Sequence, residues 1–343
     1  MSIIQQERGL EAWTTKFEDY ISGLSWSFDN TYLCIALSSG KLAVVNANKQ
    51  KVIFSIAAHE VGIISITHSP KELLFLTAGQ DGLVKLWETS TGKLLKQFEG
   101  GWQWVEHLKW SPNGAYFVMG SGKNIKLYAR NGELVYHFIN PESTVSAITW
   151  KKDSSEFALG SYGNLKIFDV NIEIPSEILP WRNSLISLSW SPDGKFICAG
   201  TQDSRIHFWP LPFEPDNDCE MSGYAGKVKE LSWAADSSML ASNCGNEIVI
   251  WEISGKAPVG QKPIVLQGHK HRITSLNFAH NSNIMVSGDT KGVFLCWYPK
   301  LSTSLLTGGT LQGNITALSW CPNDQNFAVG TALGEVIIVD TPV

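Results

Sequence analysis

One motif returns eight times along this chain of 343 residues. It reads ISGLSWSF, IISITHSP, VEHLKWSP, VSAITWKK, LISLSWSP, VKELSWAA, ITSLNFAH and ITALSWCP. Its large ring falls at Trp26, His68, Trp110, Trp150, Trp190, Trp233, Phe278 and Trp320. Successive rings are 42, 42, 40, 40, 43, 45 and 42 residues apart. So steady a period means that the chain builds one supersecondary unit over and over, and the repeat limits the fold before any single residue does. Each copy continues with a second apolar run and a third, which ends at Val45, Trp87, Tyr128, Phe168, Trp209, Trp251, Trp297 and Val339 in turn. A weaker fourth run follows, as in KLLKQFEG and ELVYHFIN. Apolar residues alternate or nearly so, Val, Ile, Trp and Phe abound, and Gly, Asn, Asp and Ser lie between the runs. That pattern specifies short antiparallel strands joined by tight turns. No segment keeps a long 3.6-residue period, so helices should be nearly absent.

A four-stranded sheet of this kind cannot cover its own faces, and radial stacking of the copies buries them on one another. The period, the SPDG-like turn after the first strand and the Trp-Glu or Phe-Asp ends of the third resemble the WD40 (WD-repeat) family over essentially the whole chain. The resemblance implies an all-β fold, a closed β-propeller of WD40 type in a single domain spanning 1–343. Counting first strands gives eight four-stranded blades, a seven-bladed ring with one irregular hairpin being the alternative. The repeats run over approximately 20–58, 61–100, 104–140, 144–181, 184–224, 227–268, 272–312 and 314–340. The last copy stops after its third strand, at EVIIVDTPV, and EAWTTKF at residues 11–17 is expected to supply the missing fourth and close the ring. The resemblance also implies a structural tetrad of buried polar partners in repeat 2, formed by His59, Thr77, Asp81 and Trp87. In repeat 7, His269 and Ser287 match that pattern, but Lys291 falls where the aspartate is expected. In repeat 5, Asp203 and Trp209 lack both partners.

Composition narrows the function. A net charge of −5 argues against a nucleic-acid binder, whose footprint is a basic face. The start MSIIQQERGLEAW has neither the basic region nor the apolar stretch of a secretory signal. No window approaches the roughly 18 consecutive apolar residues of a membrane span. A cytoplasmic protein without membrane insertion is the expectation. The six cysteines form no CxxC pair and mostly fall in apolar runs, as small buried hydrophobes do in a reducing compartment. No HExxH, Walker-type loop, strand-to-helix GxGxxG or GxSxG elbow occurs. The histidines of GHKHR, His269 and His271, offer no third metal ligand. Catalytic residues, metal and cofactor are therefore all expected to be absent.

What the repeat leaves unexplained points to binding. In the family that the repeats resemble, loops entering the innermost strands ring one mouth of a central channel, the usual recognition face. The position before each first strand holds Tyr20, Gly62, Trp104, Thr144, Ser184, Lys227, Arg272 and Asn314. The position after its first residue holds Ser22, Ile64, Glu106, Ser146, Ile186, Lys229, Thr274 and Thr316. A purely structural position would converge on one residue type, and these do not. With the nearby loop residues, the candidate partner-binding set is Tyr20, Trp102, Trp104, Glu106, Trp181, Arg182, Tyr224, Lys227, Lys229 and Arg272, rich in the aromatic and arginine types that anchor interfaces. Of the three tryptophans in GGWQWVEHLKW, Trp110 belongs to the repeat and so to the core, while Trp102 and Trp104 are left for a partner. The opposite face carries the longer connections at 210–220 and 254–263, read as mobile loops. The expected function is a non-catalytic interaction scaffold for a protein or peptide partner, with no direct nucleic-acid contact. Its rivals are a ligand-binding propeller with a small anionic molecule in the channel, and a propeller hydrolase or lyase.

Overall fold

A computed structural model describes residues 12–101, 104–214, 216–301 and 304–342. Among them every regular element is a strand, and no helix is long and apolar enough to cross a membrane. Repeat 1 shows how sequence becomes sheet. Ile21–Trp26, Tyr32–Leu37, Lys41–Asn46 and Lys51–Ala57 pair antiparallel in chain order. The second strand is buried on both faces, which is why YLCIAL reads as a continuous apolar run rather than an alternation. The fourth alternates between exposed and half-buried positions, because only one of its faces meets a neighbouring sheet. Burial thus peaks in the two middle strands, while the inner strand is half-buried over its middle and the outer strand alternates.

The inner strands touch their neighbours in sequence order around a ring. Ile21–Trp26 contacts Ile63–His68, and the series continues through repeats 3 to 8 until Ile315–Trp320 returns to Ile21–Trp26. Closure comes from the start of the chain. Ala12–Lys16 pairs antiparallel with Glu335–Asp340, Trp13 standing opposite Ile338 and Thr15 opposite Val336. Trp13 and Phe17 pack against a cluster that includes Ile21, Leu33, Val336 and Ile338. The Phe17 amide donates to the Gly334 carbonyl at 2.9 Å. Gly334 has φ +81, and a Cβ there would run into the Phe17 carbonyl, so the junction requires glycine twice over.

The expectation of eight separate four-stranded blades is corrected. Counted as hydrogen-bonded sheets, the blades number seven: six have four strands, and one has six. The enlarged sheet holds repeats 4 and 5. Glu177–Trp190 runs without a break from the outer strand of repeat 4 into the inner strand of repeat 5, pairing with Glu156–Asp169 through one half and with Phe196–Thr201 through the other. The connection between these repeats is short and keeps extended geometry, whereas the other repeats are separated by true loops. Eight inner strands therefore line the ring within seven sheets.

The recurring ring of each motif lies between neighbouring sheets. Trp26 donates through Nε1 to the Ser319 carbonyl at 3.1 Å, Trp320 to Asn277 at 3.0 Å and Trp150 to Lys109 at 3.3 Å. Trp110 is buried and meets Phe117 edge-on at 5.4 Å between ring centroids. His68 takes the aromatic's place in repeat 2, with its Nδ1 3.0 Å from Ser25 Oγ. Burial holds that imidazole far down, at about 3, and depresses His107 and His207 to about 4. All three are therefore neutral in the folded protein at pH 7, and the unfolded chain binds the protons they refuse. Their contribution is complete above the unfolded value near 6.5 and is lost as pH falls toward 4. Each group supplies a slope of about 1.4 kcal/mol per pH unit inside that window. Urea unfolding at pH 7 and pH 5 should therefore show a marked drop in midpoint, and an unchanged midpoint would contradict the neutral-histidine assignment.

Candidate partner-binding mouth

Backbone register decides which loops share an end of the ring. The first residue of each inner strand pairs with the end of the second strand, as in Ile63 with Gly79, Ile273 with Asp289 and Ile315 with Thr331. Entry loops and the turns between second and third strands consequently meet at one mouth. One bond recurs there: a turn amide donates to the carbonyl just before the inner strand. The pairs are Ser38 to Tyr20 at 3.0 Å, Gln80 to Gly62 at 2.9 Å, Gln202 to Ser184 at 3.1 Å, Thr290 to Arg272 at 3.0 Å and Ala332 to Asn314 at 2.8 Å. In these five repeats backbone alone builds the frame, which leaves the entry side chains free to differ, whereas in repeat 6 the Lys229 and Glu230 amides donate to Asn243 Oδ1 at 3.3 and 3.0 Å.

They do differ, and by sector. Trp104 is 54% exposed and Tyr20 43%, although both are large aromatic residues. Glu106, Lys227, Lys229 and Arg272 are exposed as well. Among the described residues none of these six has a side-chain ion pair. The structure adds residues that sequence reasoning missed. Leu333, in a turn, and Tyr162, within the strand Glu156–Asp169 and opposite Ser184, are 56% and 58% exposed at the same end. Leu333, Ala332, Tyr20, Phe17 and Lys16, together with the acidic Glu18 and Asp19, line an open depression of about 480 Å³ at the ring closure. Lys270 and Lys291 join the cations of repeats 6 and 7. A large apolar side chain in a turn was the available signal for Leu333. Just before the inner strand of repeat 6, Leu231–Trp233, burial pushes the Glu230 carboxyl up to about 7, with Lys229 pulling it back.

Three of the expected mouth residues lie elsewhere, and Trp102 falls outside the described residues. Tyr224 is buried: its hydroxyl sits 2.7 Å from Ser242 Oγ and accepts Trp251 Nε1 at 2.8 Å, and burial pushes its pKa up to about 12. Trp181 is half-buried, 4.1 Å from His207 and 6.0 Å from Trp209 between ring centroids. Arg182 lies over the Trp181 ring and turns to Glu220 of the outer strand at 3.1 Å, away from the axis. The reason is one of spacing. Trp181 and Tyr224 stand four residues before Leu185 and Val228, as His59 stands before Ile63. They occupy the tetrad histidine's place inside the sheet.

The tetrad itself is built as follows. In repeat 2, His59 Nδ1 is 2.9 Å from Asp81, His59 Nε2 is 2.8 Å from Thr77 Oγ1, and Trp87 Nε1 donates to that oxygen at 2.9 Å. Repeat 7 corrects the expectation placed on Lys291. Asp289 supplies the carboxylate from two residues earlier, 3.0 Å from His269 Nδ1, while Ser287 Oγ lies 2.7 Å from His269 Nε2 and accepts Trp297 Nε1 at 2.8 Å. Asp289 Oδ1 also accepts the amides of Lys291 at 2.8 Å and Val293 at 3.1 Å. Every donor aimed at that carboxylate is inside the protein, which makes the network structural. No group of three or more His, Cys, Asp or Glu among the described residues could hold a metal ion.

Comparison with known proteins agrees with this architecture. A family model described as the ELP1 first N-terminal beta-propeller matches residues 3–256, and one described as WD domain, G-beta repeat matches 260–297. Protein FIZZY-RELATED 3 of Arabidopsis thaliana is 28% identical over 121 residues, covering 34% of this chain and 24% of that protein. The B-type cell cycle switch protein ccs52A of Medicago truncatula matches at the same identity and coverage. WD repeat-containing protein 44 of Xenopus laevis is 25% identical over 150 residues, 42% of this chain and 16% of that protein. This chain thus spans a quarter or less of each of these relatives. Among solved structures, the computationally designed Ika8 protein superposes with a TM-score of 0.81 at 22% identity, covering 95% of this chain and 98% of that one.

Proposed function

This chain belongs to the ELP1 first-propeller family of WD40-repeat β-propellers, and from that premise we propose that it is a non-catalytic scaffold that grips a protein partner at the mouth built by its entry loops. WD40 propellers are in general protein-interaction scaffolds, and fold alone says nothing finer. One observation carries the finer reading. Entry positions that share a backbone bond in five of the repeats present side chains that do not repeat, with exposed aromatic and aliphatic residues in one sector and unpaired cations in another. A symmetric structural role would not need this asymmetry, whereas recognition of one partner orientation does. Trp104 is the anchor we assign first, because a large ring exposed at the rim of a channel gains most from being covered. Lys227, Lys229, Arg272 and Glu106 set register and orientation around it. The protein is placed in the cytoplasm by the same reading.

Trp104→Ala should shift the thermal transition only slightly, since more than half of that residue is exposed. Recovery of partner proteins from the native cell should fall at least tenfold, a loss of about 1.4 kcal/mol or more in affinity. Equal recovery by the variant and the wild type would count against the mouth as the binding face.

A further inference from the structure

Five cations crowd one sector of the mouth. Lys227 and Lys229 enter repeat 6, Lys270 and Arg272 enter repeat 7, Lys291 lies in the turn beside them, and all are exposed. Some cations elsewhere on this surface find carboxylates, Arg130 meeting Glu72 at 2.8 Å, Lys151 meeting Glu156 at 2.8 Å and Arg182 meeting Glu220 at 3.1 Å, while others such as Lys49, Lys71 and Lys152 stand without an ion pair among the described residues but apart from one another in sequence. The five have no such partner among the described residues, on a chain whose acids outnumber its lysines and arginines by 32 to 27. The carboxyl next to Lys229 in sequence, Glu230, is pushed up to about 7 and so is only partly ionised at neutral pH. Like charges brought together without counter-ions raise the local potential and attract an anionic partner.

Across the ring closure the chemistry changes. Tyr20 and Leu333 flank the open depression, Trp104 is exposed two repeats further on, and the charged entry residue beside it is an acid, Glu106. We infer that the mouth accommodates an extended acidic peptide segment of a partner, its carboxylates over repeats 6 and 7 and a bulky apolar side chain in the depression between Tyr20 and Leu333. This rests on the mouth being the binding face. Direction follows, because Glu106 repels an acidic residue laid over repeat 3. Spacing follows as well. The closure lies about two sheet spacings from Arg272, and with sheets ~10 Å apart and ~3.3 Å per extended residue the acids and the apolar anchor fall about six residues apart.

The test is selection of random displayed peptides on the wild type, on the triple variant Lys227→Glu, Lys229→Glu, Arg272→Glu, and on Trp104→Ala. All substituted side chains are exposed, and melting transitions close to that of the wild type verify that the variants fold. The wild type should enrich sequences with clustered Asp and Glu and an apolar residue about six positions away. Synthetic copies of these should bind the triple variant about tenfold more weakly, and the wild type more weakly as salt rises. Enriched peptides that are neutral or basic, and that Trp104→Ala weakens, overturn the acidic assignment while leaving the mouth as the binding face. Peptides indifferent to both variants, or no enrichment at all, overturn both. Binding of poly(U) that the triple variant loses and acidic peptides fail to displace reassigns the cations to RNA and overturns the inference.

Discussion

Removal of residues 1–18 is expected to abolish cooperative melting rather than lower the midpoint slightly. Five residue pairs join Ala12–Lys16 to Glu335–Asp340, and Trp13 and Phe17 fill the inner side of that strand against the last sheet. Two half-buried aromatics contribute about 1–2 kcal/mol each and the ladder hydrogen bonds about 0.5–1.5 kcal/mol each. That sum is of the order of the whole stability of an ordinary domain, about 5–15 kcal/mol. The deletion also converts Glu335–Asp340 into an open apolar edge, which invites association between chains. Calorimetry of the truncated chain should show a broad or missing transition, with aggregation. A transition matching that of the full chain would contradict closure by the N-terminal strand.

The second large effect is Asp289→Ala. It strips His269, Lys291 and Val293 of one shared acceptor inside repeat 7, at a position with no solvent exposure. Orphaned buried donors cost about 1–3 kcal/mol each, partly offset where water enters, so a loss of about 3–4 kcal/mol is expected. Asp81→Ala should cost a similar amount, through His59 and the Leu83 amide. Asp203→Ala should cost under about 1 kcal/mol, because that carboxylate is 29% exposed and its ion-pair partner is the partly exposed Arg205. Urea titration of the three variants gives the ranking directly. Equal losses at all three positions would show that the tetrads are not what distinguishes these repeats.

Much of this was legible in the sequence, since the residues that repeat are those that build the frame. The ring at Trp26, Trp110, Trp150 and their equivalents reports the space between sheets, and its spacing gives strand order and the closing strand. Two misreadings have physical causes. Lys291 was compared with Asp81 by position, but a carboxylate two residues earlier reaches the same histidine, because a tetrad needs a distance and not a register. Tyr224 and Trp181 were read as mouth residues for their size, although each stands at the tetrad histidine's spacing and turns inward. Sheet count was legible only as the alternative of seven: whether 182–184 loops out or stays extended depends on backbone pairing that composition does not encode. The mouth was partly legible. Trp104, Tyr20 and the cations of repeats 6 and 7 depart from the repeat, which is how they were found. Leu333 lies in a turn, where the repeat imposes no pattern to depart from, and Tyr162 lies in the long strand of repeat 4, beside its register shift.

The central claim is that the non-repeating mouth is what this propeller uses. Hydrogen–deuterium exchange of the chain, free and in complex with a partner recovered from the native cell, tests it most directly. Protection on binding should concentrate in the entry segments around Tyr20, Trp104, Lys227 and Arg272, around Tyr162 and in the turn holding Leu333. Protection confined to the outer strands or to the opposite-face connections at 210–220 and 254–263 would contradict it.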